Sequence, residues 1–187
     1  MMIHVLGTGW LSRDSYGSEK LGRSVEYASR VSIRKLGKED GLFAYPVKNL
    51  GRFDPVSRRV CYVTALAMQD AGMEYSKDWK QDVGLLGTDE YGSEQANLAY
   101  FRDYVEGGRT LARANLFIYT LPSSPLAEAA VHFGLQGPLL YLRNQNGSVD
   151  SLLATAQRMI SEGQAETMLV YELSDELDRC FVVGKSI

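Results

Sequence analysis

The sequence predicts a layered α/β domain on a five-stranded mixed sheet, in the order β-α-β-α-β-α-β-β. Three observations carry this. Short apolar runs at residues 3–6, 81–88, 139–142, 167–171 and 179–184 close in glycine or polar turns. The stretches between the first four carry apolar residues at helical spacing. Residues 173–178, between the last two runs, are too few for a crossover, so those strands should be antiparallel. The earlier strands, separated by helices, should be mostly parallel with right-handed crossovers.

The chain has 187 residues, enough for one domain with a good-sized core, and residues 1–187 are read as a single domain. A composition of 45% hydrophobic and 23% charged residues is ordinary for a soluble globular protein. The net charge of -3 gives no electrostatic case for nucleic acid. No run is long enough to span a bilayer, and the opening residues are too short for a signal peptide. The expectation is a cytoplasmic protein with no nucleic-acid or membrane partner. Cys61 and Cys180 have neither metal spacing nor a disulfide framework, so both thiols should be free. With only His4 and His132 beside them, no metal and no cofactor is expected.

The first strand ends at Gly7-Thr8-Gly9. A dinucleotide fingerprint would need a third glycine where Ser12 stands, so the pair reads as a glycine turn. Residues 11–49 are polar and irregular, with Lys20, Arg23, Arg30, Arg34, Lys35 and Lys38 giving a local positive bias. That bias reads first as solvated surface and second as a dock for an acidic carrier protein.

Asp54 suits the N-cap of the first long helix and Pro55 its first position. Val56, Val60, Val63, Ala67 and Ala71 recur at helical spacing until Gly72 stops the helix. Cys61 lies among them as a small buried hydrophobe. Residues 89–113 are mostly helical, broken at Gly107-Gly108. Pro122 and Pro125 make a turn that launches a short helix over residues 126–133, with His132 at its end in a structural role. A last helix spans residues 149–161. Val149, Leu152, Leu153, Ala156 and Ile160 share one face, and Ala154, Thr155 and Met159 leave the other rather apolar. Such a helix wants cover on both sides.

Five segments stand out by their order: Val5-Leu6-Gly7-Thr8-Gly9, the Phe53-Asp54-Pro55 helix start with its Asp70-Ala71-Gly72 ending, and Val83-Gly84-Leu85-Leu86-Gly87-Thr88. His132-Phe133-Gly134-Leu135-Gln136-Gly137-Pro138 and Ala156-Gln157-Arg158-Met159-Ile160 complete the series. In this order they resemble the N-terminal half of a β-ketoacyl synthase, and the resemblance implies half of a thiolase-like fold. Counting from Gly137-Pro138 and back from Arg158 places Asn146 in the family's nucleophilic cysteine slot, with Gln145 and Ser148 adjacent. The family's cysteine attacks acyl thioesters as a thiolate of lowered pKa at a helix N-terminus. A carboxamide is no such nucleophile, so Asn146 cannot form an acyl-enzyme, and no histidine is local to activate Ser148.

Tyr171-Glu172 replaces the family's Gly-Gly. The C-terminal half, which would bring two catalytic histidines, has no counterpart, so no catalytic residue is expected. The resemblance therefore implies a degenerate accessory subunit of fatty acid or polyketide-type chain elongation, similar to a chain length factor. Such a subunit would form a heterodimer with a full ketosynthase, or a homodimer, and meet an acyl carrier protein. The alternatives are an unusual acyl- or thioester-binding enzyme using residues 144–148 as an oxyanion site, and a structural homodimer.

Overall fold

A computed structural model describes residues 3–26, 41–89, 91–110, 113–143 and 149–185. In chain order the strands are β1 (Ile3–Ser12), β2 (Ser15–Ser18) and β3 (Arg23–Glu26), then helix α1 (Pro55–Asp70) and β4 (Val83–Asp89). Helices α2 (Glu94–Glu106), α3 (Ala114–Ile118) and α4 (Ser124–Phe133) lead to β5 (Leu139–Tyr141). Helix α5 (Val149–Ser161), β6 (Thr167–Leu173) and β7 (Leu177–Lys185) complete the order. Asp54 accepts a hydrogen bond from the Ser57 amide at 2.9 Å and Pro55 fills the first turn, so α1 begins where its residues dictate.

The sheet has seven strands in the order β3-β2-β1-β7-β6-β4-β5, two more than the sequence predicts. The additional strands, β2 and β3, lie in the stretch expected to be irregular. They form a mostly polar hairpin at the sheet's edge, held by the pairing of β2 with β1 and anchored by Tyr16, which is buried in the core, with Val25 packed against that core. The β6–β7 pair is antiparallel, as the short turn requires, and β4 is parallel to β5 and β6. β1 points the same way as those three, but both its neighbours, β2 and β7, are antiparallel to it.

Side chains alternate across the sheet. Leu169, Tyr171 and Leu173 of β6, with Cys180 and Val182 of β7, pack in one core with α1 and α4. Met168, Val170, Phe181 and Val183 pack in a second core with Leu152, Ala156, Met159 and Ile160 of α5. Met159 is thus buried on the sheet side of α5. The outward side presents Ser151, Ala154, Gln157, Arg158 and Ser161 to solvent. The second apolar face expected on this helix is therefore not there.

Gly7 and Gly9 serve packing. A Cβ at Gly7 would sit 2.4 Å from the Ala71 nitrogen, and one at Gly9 would sit 2.5 Å from the Ala67 nitrogen. Their bareness lets α1 lie against the β1 backbone, and because β1 runs through both, they are strand residues packed under a helix rather than the glycine turn the sequence suggests. Asp70 locks the arrangement. Its buried carboxylate accepts the amides of Thr8 (2.8 Å), Leu21 (2.8 Å) and Lys20 (3.1 Å), tying α1 to β1 and to the β2–β3 turn. Burial raises its pKa, but those amides and the Ser18 hydroxyl outweigh burial and hold it below the usual carboxylate range.

Candidate functional site

Gly137 sets the approach to the candidate site. Its amide donates to the Val83 carbonyl at 3.1 Å, and a Cβ there would lie 2.5 Å from the Gly84 nitrogen. This close passage, with the Leu85 amide donating to the Pro138 carbonyl at 2.8 Å, seats β5 beside β4 in the register Leu85–Leu139 and Gly87–Tyr141. β5 ends at the carboxyl edge of the parallel strands, the edge where open α/β sheets place ligands. From there α5 returns along the sheet to β6. The slot residue Asn146 and its neighbours Gln145 and Ser148 lie outside the described residues.

Neither histidine sits at this edge. His4 on β1 pairs with Gly184, itself opposite Thr167 at the start of β6, so it belongs to the amino edge. His132 ends α4 just before Leu135 bridges to Gln81, ahead of β4. It is buried within a ring cluster of Phe43, Tyr45, Tyr75 and Phe133. Burial, assisted by Lys77, lowers its pKa to about 4, so the imidazole is neutral at pH 7. The Tyr45 hydroxyl donates to the His132 carbonyl. This is a structural histidine.

The cysteines are equally remote from chemistry. Both are free and fully buried, and burial raises the Cys61 thiol to about 12 and the Cys180 thiol further still. Tyr171, where the resemblance expects glycine, is buried, with its hydroxyl 2.9 Å from the Thr64 hydroxyl. Glu172 accepts from the Arg179 Nε at 2.6 Å. No cluster of three or more histidine, cysteine or carboxylate residues suited to a metal occurs among the described residues. None of the described helices is long and apolar enough to cross a membrane.

On the α1 face of the carboxyl edge the sequence offered no site, yet a cavity of about 360 Å³ opens there. Pro55, Val56, Leu116, Tyr119, Pro125 and Leu173 supply apolar wall. Asp54, Arg59, Asp89 and Asp175 are its charged lining. Arg59 is committed, its Nε donating to the buried Asp178 at 2.5 Å. Asp89 accepts the Tyr91 amide at 2.9 Å, and the Tyr141 hydroxyl reaches the Asp89 carbonyl at 3.4 Å. Burial pushes the Asp89 carboxyl above the usual range and Asp175 adds to this, against the Tyr91 and Gly92 amides and Arg59. The walls come from α1, α2, α3, α4 and the ends of β4, β5 and β6, so no short stretch of sequence announces the cavity. The one local signal is an aspartate closing a strand at the carboxyl edge.

The roof is an arm formed by α2 and α3, neither of which has a buried residue. Leu98, Phe101 and Val105 follow one stripe of α2, with Phe117, Ile118 and Leu121 on and after α3. All six are between 42% and 63% exposed.

Residues 15–171 match the family model described as the β-ketoacyl synthase N-terminal domain. The chain belongs to that family. The fold agrees. A β-ketoacyl synthase from Burkholderia phymatum STM815 superposes with a TM-score of 0.68 at 17% identity, over 98% of this chain and 59% of that one. The ishigamide ketosynthase/chain length factor gives 0.64 at 14% identity, over 100% and 63%. A ketosynthase (ApeO) in complex with its chain length factor (ApeC) from Xenorhabdus doucetiae gives 0.65 at 8% identity, over 100% and 80%. This β-ketoacyl synthase domain therefore spans about three-fifths of the length of the first two structures. No match to the chain was found among curated proteins.

Proposed function

We propose that this chain is a non-condensing partner of a complete ketosynthase, serving fatty acid or polyketide-type acyl chain elongation. The observation that carries the proposal is the apolar surface of the α2–α3 arm, six large side chains on the two helices and the turn after α3, each at least 42% exposed among the described residues. Phe101 and Phe117, at ~150–250 Å² per aromatic side chain and a little over half exposed, together with the four aliphatic side chains offer a few hundred Å², the size at which an exposed patch marks an interaction site. The carboxamide at Asn146 in the cysteine slot supports the absence of condensation, as does the placement of both histidines at the far edge of the sheet. The known structure of a ketosynthase with its chain length factor supports the type of partner. An acyl carrier protein then meets the assembled pair rather than this chain alone.

The test is native mass spectrometry of the chain co-expressed with a complete ketosynthase from the same genome, beside an assay of the pure chain. The expected outcome is a heteromeric complex, with no condensation of acyl- and malonyl-carrier thioesters by the chain alone. Turnover by the pure chain would establish an enzyme instead. A chain that stays homodimeric or monomeric in the presence of the synthase would overturn the partnership.

A further inference from the structure

The geometry points to the cavity beneath the α2–α3 arm as a binding site for a small amphipathic amine, its apolar body against Leu116, Tyr119 and Pro125 and its ammonium beside Asp89 and Asp175. The volume of about 360 Å³ falls within the ~300–1,000 Å³ usual for small-molecule sites. The walls are mostly apolar, with a few charged groups, the make-up of a pocket that holds a hydrophobic body and orients one polar head.

Charge decides the head group. Among the described residues Arg59 is the one cation of the lining, and its Nε is already given to Asp178, behind the wall. A second nitrogen of Arg59 lies 3.5 Å from the Ser174 carbonyl. With that pair neutralised, Asp54, Asp89 and Asp175 leave the cavity with an excess of negative charge. Asp54 is occupied in capping α1. Asp89 and Asp175 interact unfavourably with each other, and the half-buried Asp89 must share the charge of Arg59 with the ion-paired Asp178. A ligand carboxylate entering here would meet like charge with no free guanidinium to receive it. An ammonium would meet two carboxylates and relieve their mutual repulsion. Because the arm that roofs the cavity buries none of its own residues, a ligand's body adds apolar contact where the domain has little.

The experiment is isothermal titration of the full chain at pH 7.5 with three probes of one chain length, n-octylamine, octan-1-ol and octanoate. Octylamine is expected to bind with one-to-one stoichiometry at least about tenfold tighter than octanol, with octanoate weakest. Asp89→Asn should weaken octylamine about tenfold and leave octanol unchanged. Ala99→Trp, which fills the cavity from α2, should abolish binding of all three. Leu116→Trp serves the same purpose from α3 should the first variant fail to fold. Octanol binding as tightly as octylamine would reduce the cavity to a neutral apolar site and overturn the inference. So would octanoate as the tightest probe, no octylamine binding at all, or octylamine binding that survives a folded cavity-filling variant.

Discussion

Asp70 concentrates more of the fold in one side chain than any other polar residue described. Its carboxylate satisfies three backbone amides from two separate segments. Asp70→Ala leaves those donors unsatisfied at a buried site, and a loss of about 3 kcal/mol is expected in urea denaturation. Asp70→Asn keeps one acceptor and should lose less. The pH dependence follows from the depressed native pKa. The stabilisation is complete above the ordinary carboxylate pKa and fades as pH falls through the lower native value. His132 also gives a depressed native pKa, from burial of a neutral ring. The unfolded chain takes up the proton first, so stability is full above pH 6.5 and falls between 6.5 and about 4. The shift corresponds to a loss of on the order of 3 kcal/mol by the lower limit. His132→Phe should flatten stability across that window when denaturation midpoints are compared at pH 7 and pH 4.5.

At the scale of elements, sequence periodicity identifies the helices and central strands because burial imposes it. α1 is apolar along its length where it meets β1 and α4, and β4, β6 and β7 are apolar on both sides because helices cover both sheet faces. The β2–β3 hairpin escapes the same logic. Ser15, Ser18, Arg23, Ser24 and Glu26 have no strand signature; β2 is set by pairing with β1 and by Tyr16 in the core, β3 by pairing with β2, and Asp70 holds the turn between them. The outward face of α5 escapes it in the other direction. Assigning Met159 to the far face fails on the helical count itself, because it follows Leu152 by seven residues and Ala156 by three, shares their side, and is taken in by the sheet. In the partnership proposed above, the contact face lies on the α2–α3 arm instead. Phe101→Asp paired with Phe117→Asp should dissociate the ketosynthase complex in native mass spectra. The melting temperature of the isolated chain should hardly change, since neither ring is buried.

For the molecule as a whole, the thiolase-like half was legible from short segments whose glycines the packing explains. Gly137 passes against β4, and Gly7 and Gly9 admit α1. The expectation that Asn146 occupies a nucleophile's slot rests on that resemblance alone, since nothing about an isolated carboxamide marks such a position. The cavity was not legible at all, because its lining is gathered from seven elements. The strand order carries a further consequence. β7 lies between β1 and β6, so it alone joins the β3-β2-β1 group to the β6-β4-β5 group. It also follows all six other strands in the chain. During synthesis, two partial sheets must wait with raw, hydrogen-bonding edges facing one another until the connecting strand leaves the ribosome. Such a chain closes its sheet late, through contacts distant in sequence, and until then its open edges are exposed to pairing with other chains.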